Sequence, residues 1–434
     1  MDITDKDIVI HGNPIKFEQS HSFFDDTSVA ILEKYKSPRR GSPRAILHFH
    51  EKITSDNNAF QGIHPIVAMD SHSKNLASLV QRSLNGSTHR KPDFITVTRG
   101  PGMRNNLGIG LDTAKGLSVA WQIPLLGVHH MQAHALTPRL ASALGTEGGN
   151  VVVRPHFPFI SLLVSGGHTL LLHSKSLTDH HVLASTVDTA VGEALDKIGR
   201  VCIPQEVLKD RKDVFYAKAL SDWAFPTVKS MRTYRAPVRR GDEIQKPLNQ
   251  YGWAIQAPFS ETRELKFSFS GLASYLSKLA NRQDVDDEQR LALAKAALTT
   301  SFEHLASRTI IALDELRKKD DLNVKTLVLS GGVAANKYLR HVIRKCLNVR
   351  GYARMQLSFP PVELCTDNAA MIAWTGIEMW EAGWRTDLGA LPVRKWSMES
   401  QGEGEGILGI DGWVQRTDMK KTVHKKSMVR KVFC

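Results

Sequence analysis

Cysteine is scarce. Cys202, Cys346, Cys365 and Cys434 are the only four, and no two of them stand in a CxxC pair. That scatter argues against a disulfide framework or a zinc ribbon and for a reducing compartment. No uninterrupted apolar run approaches the roughly 18 residues that a membrane helix needs, so no membrane association is expected. The N-terminus also lacks the marks of a mitochondrial presequence, which is Arg- and Ser-rich and poor in acids: Asp2, Asp5 and Asp7 outnumber Lys6 there. The lysine-bearing P-loop and the dinucleotide fingerprint are both missing.

Acidic residues are in deficit as well. Against 57 Lys and Arg stand 44 Asp and Glu, a net charge of +13. Such an excess favours a polyanionic partner, because clustered cations release counterions from nucleic acid, although a protein of a basic compartment shows the same balance. At 434 residues the chain is long enough for two cores.

Read in order, residues 1–20 are polar and weakly patterned, a loose lead-in. Residues 28–33 and 44–50 read as neighbouring antiparallel strands across a charged turn. A helix is expected over 66–84, a buried strand over 93–98, a helix over 108–121, and a strand leading to the histidines at 129–134. This N-terminal lobe spans residues 21–150. A second lobe, residues 151–395, opens in the same way with a strand over 157–164, a turn, and a strand over 168–173. Further elements follow: a helix over 287–318, a strand over 324–329, a helix over 334–346 and a strand near 355–359. Strands alternating with helices indicate an α/β fold, and the two similar openings suggest an old duplication. Within the second lobe, residues 202–264 form a basic insertion in which Arg211, Lys212, Lys229, Arg232, Arg235, Arg239, Arg240 and Lys246 alternate with Phe215, Tyr216, Trp223, Phe225 and Tyr234. That composition suits phosphate contact and base stacking, and it equally suits a solvated loop. Residues 396–434 are a basic tail carrying Lys420, Lys421, Lys425, Lys426, Arg430 and Lys431.

Chemistry gathers at a few short motifs. His130 and His134 stand four apart in a helix-prone stretch and so share one helical face, where two imidazoles can bind one cation or can simply be polar residues on a half-buried helix. Zinc peptidases carry Glu directly after the first His; here that residue is Met131, and no water-activating base is present on the helix. Two strand ends carry paired glycines, Leu163-Val164-Ser165-Gly166-Gly167 and Ser330-Gly331-Gly332-Val333-Ala334-Ala335-Asn336. Each is a tight turn or a place where backbone N–H groups approach an anion, and together they suggest a nucleotide held between lobes. Glu193 and Asp196 share a helical face that accepts ribose hydroxyls or faces water. Asp367 sits at a helix start, as an N-terminal acid or as a third ligand for the two histidines.

His130-Met131-Gln132-Ala133-His134, Ser165-Gly166-Gly167-His168-Thr169, Glu193-Ala194-Leu195-Asp196-Lys197, Phe267-Ser268-Phe269-Ser270-Gly271-Leu272, Ser330-Gly331-Gly332-Val333-Ala334-Ala335-Asn336 and Cys365-Thr366-Asp367-Asn368 occur in that order. In this the chain resembles the tRNA adenosine threonylcarbamoyltransferases over residues 25–395, and Gly62-Ile63-His64-Pro65 and Gly100-Pro101-Gly102-Met103 look most like their mitochondrial branch. The resemblance implies a two-lobed actin/Hsp70-like α/β fold built from duplicated ribonuclease-H-like domains. It implies one divalent metal ion per subunit, zinc, iron or manganese, on His130, His134 and Asp367. It also implies that Leu163, Val164, Ser165, Gly166, Gly167, Asp196 and Asn336 contact threonylcarbamoyl-AMP. The implied reaction moves the threonylcarbamoyl group to N6 of the adenosine beside the anticodon in tRNAs reading codons that begin with A. Homodimerisation and a mitochondrial location follow from the branch, with the cytoplasm as the other compartment. The alternatives are a catalytically weakened nucleotide-binding scaffold of the same fold and a metallopeptidase. Two positions depart from the family pattern: His21-Ser22-Phe23-Phe24 replaces an acidic-Thr-Ser-Cys run, and Cys202-Ile203-Pro204-Gln205-Glu206 replaces a Pro-Gly-Gly turn.

Overall fold

The computed structural model describes residues 5–12, 26–35, 43–55, 65–85, 91–145, 152–209, 215–319, 323–401 and 405–415. The altered loop at His21 to Phe24, Asp25, Gly62 to His64, Arg211, Lys212, Cys434 and the basic residues from Lys420 onward lie outside them.

Two sheets organise the chain. In the first, β1 (Asp5–Gly12), β2 (Asp26–Lys34) and β3 (Ala45–Thr54) run antiparallel, while β4 (Phe94–Gly100) and β5 (Leu125–His129) continue parallel to β1. In the second, β6 (Phe159–Val164), β7 (Thr169–Ser174) and β8 (His180–Thr186) are antiparallel, and β10 (Thr326–Ser330) and β11 (Gln356–Ser358) continue parallel to β6. Three antiparallel strands followed by two parallel ones is therefore drawn twice, the duplication expected from the two hairpin openings. Short β9 (Lys266–Phe267) extends the second sheet beside β8. β12 (Trp384–Thr386) and β13 (Trp413–Gln415) extend the first beside β5.

Alternation along the strands assigns the two faces of each sheet. On β2, Val29 and Ile31 meet α1 (Pro65–Asn85) and α2 (Arg104–Trp121), whereas Ala30 and Leu32 turn to the other side. There they join α3 (His130–Leu144) and α13 (Ala369–Glu381). Phe159, Leu163, Leu172 and Val328 of the second sheet belong to this same central core, so α3 and α13 lie where the two sheets share apolar surface. The outer face of the second sheet packs on α4 (Val191–Cys202), α9 (Ser270–Ala280), the 32-residue α10 (Asp287–Lys318) and α11 (Lys337–Val349).

Four expectations need correction. Residues 5–12 are β1, an interior strand of the first sheet, where a loose lead-in was expected. Backbone pairing to β2 and β4 outweighs the polar start at Asp5, Lys6 and Asp7. The second lobe does not keep everything up to residue 395, nor is all beyond it tail: α13 packs on the first sheet, and Trp413–Gln415 pairs with β12. The helix expected over 334–346 starts at Lys337, because Asn336 caps it after a 3-10 turn over Gly332–Ala335. Finally, the insertion is folded: α5 (Gln205–Leu208), α6 (Tyr216–Ala224), α7 (Val228–Met231) and α8 (Arg240–Ile244) turn most aromatics inward. Phe225 stacks on Tyr338 at 3.7 Å, and Tyr234 is buried beside α11. Large rings bury too much area to be left as a wet stacking surface; Phe215 alone of those aromatics stands well exposed.

Candidate metal centre and ligand crevice

β5 is buried along its whole length and delivers His129 and then His130 into α3. A helix start leaves backbone N–H groups without intrahelical partners. His129 answers two of them: its Nδ1 accepts from Met131 N at 3.1 Å and Gln132 N at 3.4 Å, so its Nε2 carries the proton and donates to Trp396 O at 3.1 Å. Burial pushes the His129 imidazole down to about 3, so it is neutral. One turn further on, Pro138 stands four residues after His134 and removes the helical hydrogen bond to the His134 carbonyl.

The third member comes from the other half of the duplication. After β11, α12 (Val362–Cys365) and Thr366 lead to Asp367, and Asn368 caps α13 by accepting from Met371 N at 2.9 Å. Since Asn368 does the capping, the Asp367 carboxylate faces the histidines instead. His134 Nε2 lies 2.8 Å and His130 Nε2 3.4 Å from Asp367 Oδ1, and one ligand atom from each residue falls within 4.8 Å of the others. The two helices following the fifth strands of the two halves thus meet end to end.

Protonation suits a cation. Burial lowers His130 from its ordinary value and leaves a neutral nitrogen donor. Burial by itself would raise Asp367, but His130 and His134 beside it hold the carboxyl well below the usual range. Asp367 Oδ2 and His134 Nδ1 are buried with no hydrogen-bond partner. Two imidazoles and an ionised carboxylate with an unspent oxygen form a donor set that fits a divalent ion. Asp26, at the start of β2, borders this centre: burial raises its carboxyl, Lys52 Nζ at 2.8 Å opposes the rise, and the charge of Asp367 adds to it. Met131, in the position of a peptidase glutamate, is buried in the central core.

The glycine turns lie next door. Because β8 and β9 run in the same direction as β6 and β10, the turns after all four strands open on one edge of the second sheet. Ligands of open α/β sheets bind outside such carboxyl ends. At Ser165, the hydroxyl accepts from Gly167 N at 3.3 Å and His168 N at 3.0 Å and sets the turn. Gly331 adopts φ +96°, and a Cβ there would overlap Val164 O. A Cβ on Gly192 would come within 2.7 Å of Ser165 O, so the start of α4 lies directly against the turn. Thr366, the neighbour of Asp367, stands about van der Waals distance from the space above Gly332. Contacts therefore run without a break from the His/His/Asp group through both glycine turns to α4.

The residues expected to bind a nucleotide divide by how they sit. Leu163 and Val164 are buried strand residues that offer only backbone at the crevice, while Ser165, Gly166 and Gly167 form its half-exposed rim. Asn336 spends its side-chain oxygen on Tyr338 N and Leu339 N. Asp196 accepts from Ala217 N at 2.6 Å, and burial pushes its carboxyl up to about 6. Glu193, its companion on the helix face, is paired with Lys197 at 2.8 Å. Sequence reasoning missed Asp188, whose carboxylate accepts from Ser268 Oγ, Phe269 N and Ser270 Oγ and ties β8 to the Phe267-Ser268-Phe269-Ser270 motif at the same edge. Burial works against its charge, but those hydrogen bonds outweigh it and hold the carboxyl below its usual value. An acid preceding a helix by three residues is too common a pattern to have signalled this role.

Fold and site together define a two-lobed α/β protein with a His/His/Asp group at the crevice between its duplicated halves. A family model described as tRNA N6-adenosine threonylcarbamoyltransferase matches residues 47–374. The mitochondrial tRNA N6-adenosine threonylcarbamoyltransferase of Schizosaccharomyces pombe is 34% identical over 405 residues, covering 91% of this chain and 88% of the relative. The tRNA N6-adenosine threonylcarbamoyltransferases of Rickettsia bellii and Brucella abortus are 31% and 32% identical, over 86% and 87% of this chain and 96% and 93% of their own lengths. Among solved structures, the crystal structure of T. kodakarensis HypF aligns with 87% of this chain and 48% of its own at 14% identity and a TM-score of 0.44. The chain belongs to the tRNA N6-adenosine threonylcarbamoyltransferase family, and with that membership it is a tRNA-modifying transferase.

Proposed function

We propose that this chain transfers the threonylcarbamoyl group of threonylcarbamoyl-AMP to N6 of the adenosine beside the anticodon in mitochondrial tRNAs that read codons beginning with A. The observation that carries the mechanism is the convergence of His130, His134 and Asp367 from the two halves, in contact with both glycine turns. His130, His134 and Asp367 hold one divalent ion, which when bound polarises oxygens of the mixed anhydride. The Ser165–Gly167 rim and the Gly331–Gly332 turn cradle the adenylate through backbone N–H groups, Asp196 accepts from a ribose hydroxyl, and Asn336 orders the helix start that faces the ligand. With the acyl carbon so fixed, the adenosine amine attacks it, the carbon–oxygen bond to phosphate breaks, and AMP leaves. Alignment of amine and carbonyl supplies much of the rate, and no side-chain nucleophile is required. The mitochondrion is the compartment, in keeping with the fission-yeast relative. A homodimer is the working form, which light scattering of the purified chain checks. No described helix is long and apolar enough to cross a membrane.

The deciding experiment is reconstitution with the purified full chain, threonylcarbamoyl-AMP and an unmodified tRNA, read by nucleoside mass spectrometry. Threonylcarbamoyladenosine should form. His134→Ala should lose the bound metal, measured by elemental analysis, and with it nearly all product. Full metal content and activity in that variant would remove the histidine pair from the mechanism.

A further inference from the structure

α11 begins at the crevice, immediately after Asn336, and runs away from it along the outer side of the second sheet. Lys337, His341 and Lys345 recur at intervals of four and so form one stripe, roughly 12 Å long at a rise of 1.5 Å per residue. The segment between α7 and α8 lies alongside. Tyr234 is its anchor: the ring is 6.1 Å from Tyr338 and 6.3 Å from His341, and the hydroxyl donates to Glu303 at 3.1 Å and meets Cys346 Sγ at 3.3 Å. With Tyr234 drawn inward, Arg232 and Arg235 on either side of it are exposed, as are Lys337 and Lys345. Lys345 and Arg232 are near enough to His341 to depress its basicity, beyond what burial does, which places helix stripe and insertion in one cationic ridge.

Some exposed helix cations elsewhere are set against acids, Lys197 with Glu193 and Lys218 with Asp222. Among the described residues, none of Arg232, Arg235, Lys337 and Lys345 has a carboxylate within ion-pair distance. Lys337 sits at the N-terminal end of α11, where the helix dipole is itself positive. That placement costs the free protein a little, and an extended polyanion would reverse its sign.

We infer that the ridge formed by Lys337, His341 and Lys345 of α11 with Arg232 and Arg235 of the insertion docks the phosphate backbone of the RNA substrate and leads it to the crevice. The inference rests on the transferase reading for the identity of the RNA, and on the geometry alone for the surface. Phosphate contacts position a nucleic acid without reading its sequence, so the ridge governs affinity and register and leaves the chemistry at the adenosine untouched.

The test is the full-length triple variant Arg232→Gln, Lys337→Gln, Lys345→Gln, compared with a control removing as many exposed cations elsewhere, Lys74→Gln, Lys278→Gln, Lys295→Gln. Binding of unmodified tRNA is measured between about 50 and 200 mM salt, where the slope of log affinity against log salt reports phosphate contacts. In the ridge variant the slope should fall by about 1 for each contact removed. The KM for tRNA should rise about tenfold, with kcat and the KM for threonylcarbamoyl-AMP unchanged, and the control should match wild type. A ridge variant with the wild-type slope, or a control that falls equally, overturns the inference. If wild type binds tRNA with this salt dependence but forms no product, the transferase reading fails and the ridge is still judged by the slopes.

Discussion

Asp196 carries a charge that the fold would be more stable without. Its carboxyl is raised to about 6 by burial, so the folded state holds a proton that the unfolded chain releases near 4. The stability belonging to the protonated form is fully present below about pH 4 and is lost as the pH rises through about 6. Keeping the ionised carboxylate buried at neutral pH therefore costs the fold roughly 3 kcal/mol. Asp196→Asn keeps an acceptor for Ala217 N and cannot ionise. It should raise the urea midpoint at pH 8 by that order of stability and by about half as much at pH 5, while lowering activity if the carboxylate serves the ribose. An equal gain at both pH values would show that the cost lies elsewhere. His130 and His134 were legible in the sequence because four-residue spacing has a single geometric meaning on a helix. Asp367 was readable only through its motif, since an acid at a helix start is ordinary, and the neighbouring Asn368 cap that frees it shows only in three dimensions. His129 and Asp188 were invisible because their partners are backbone groups distant in sequence or made by the fold.

At the scale of elements, the crevice depends on three polypeptide segments approaching more closely than side chains allow. Gly331→Ala should destabilise the protein by roughly 2–5 kcal/mol, combining left-handed backbone strain with overlap on Val164 O. Gly192→Ala leaves φ unstrained and asks only that α4 move off Ser165 O and Gly166. Its thermal midpoint should fall modestly, by about 1–3 kcal/mol in stability, while the KM for threonylcarbamoyl-AMP rises. A Gly192→Ala enzyme with wild-type KM would mean that the α4 contact does not shape the ligand rim. Hairpins and long helices were plain in the sequence: β2 and β3 are β-rich runs on either side of a charged, Pro-containing turn, and α10 opens with Asp286 and Gln289 in a capping box and fills with helix-formers. β1 escaped notice because its first three residues are charged and its partners are β2 and β4, not a hairpin mate directly after it. The inward aromatics of the insertion escaped because basic neighbours mask them; alternation of Arg with Tyr reads the same whether the ring faces out or in.

For the molecule as a whole, the duplicated halves are held through α3 and α13. Arg139 Nε on α3 donates to Glu378 Oε1 on α13 at 2.8 Å, and burial raises the Glu378 carboxyl although Arg139 pulls it down. Removing one member of such a pair strands the other. Arg139→Met should therefore cost about 3–5 kcal/mol, and Arg139→Met with Glu378→Gln should recover most of it. Chemical denaturation of the single and double variants measures this, and a double variant no better than the single would place the loss in α3 packing alone.

That junction also sets an order of events during synthesis. β2, β4 and β5 leave the ribosome early with Ala30, Leu32, Phe94, Leu126 and Val128 facing a surface that Trp374 and Ile377 of α13 cover. Those last residues are added more than two hundred positions later, after the entire second sheet. The growing chain thus carries an unfinished apolar wall through most of its translation, a surface open to non-native apolar contacts until α13 arrives.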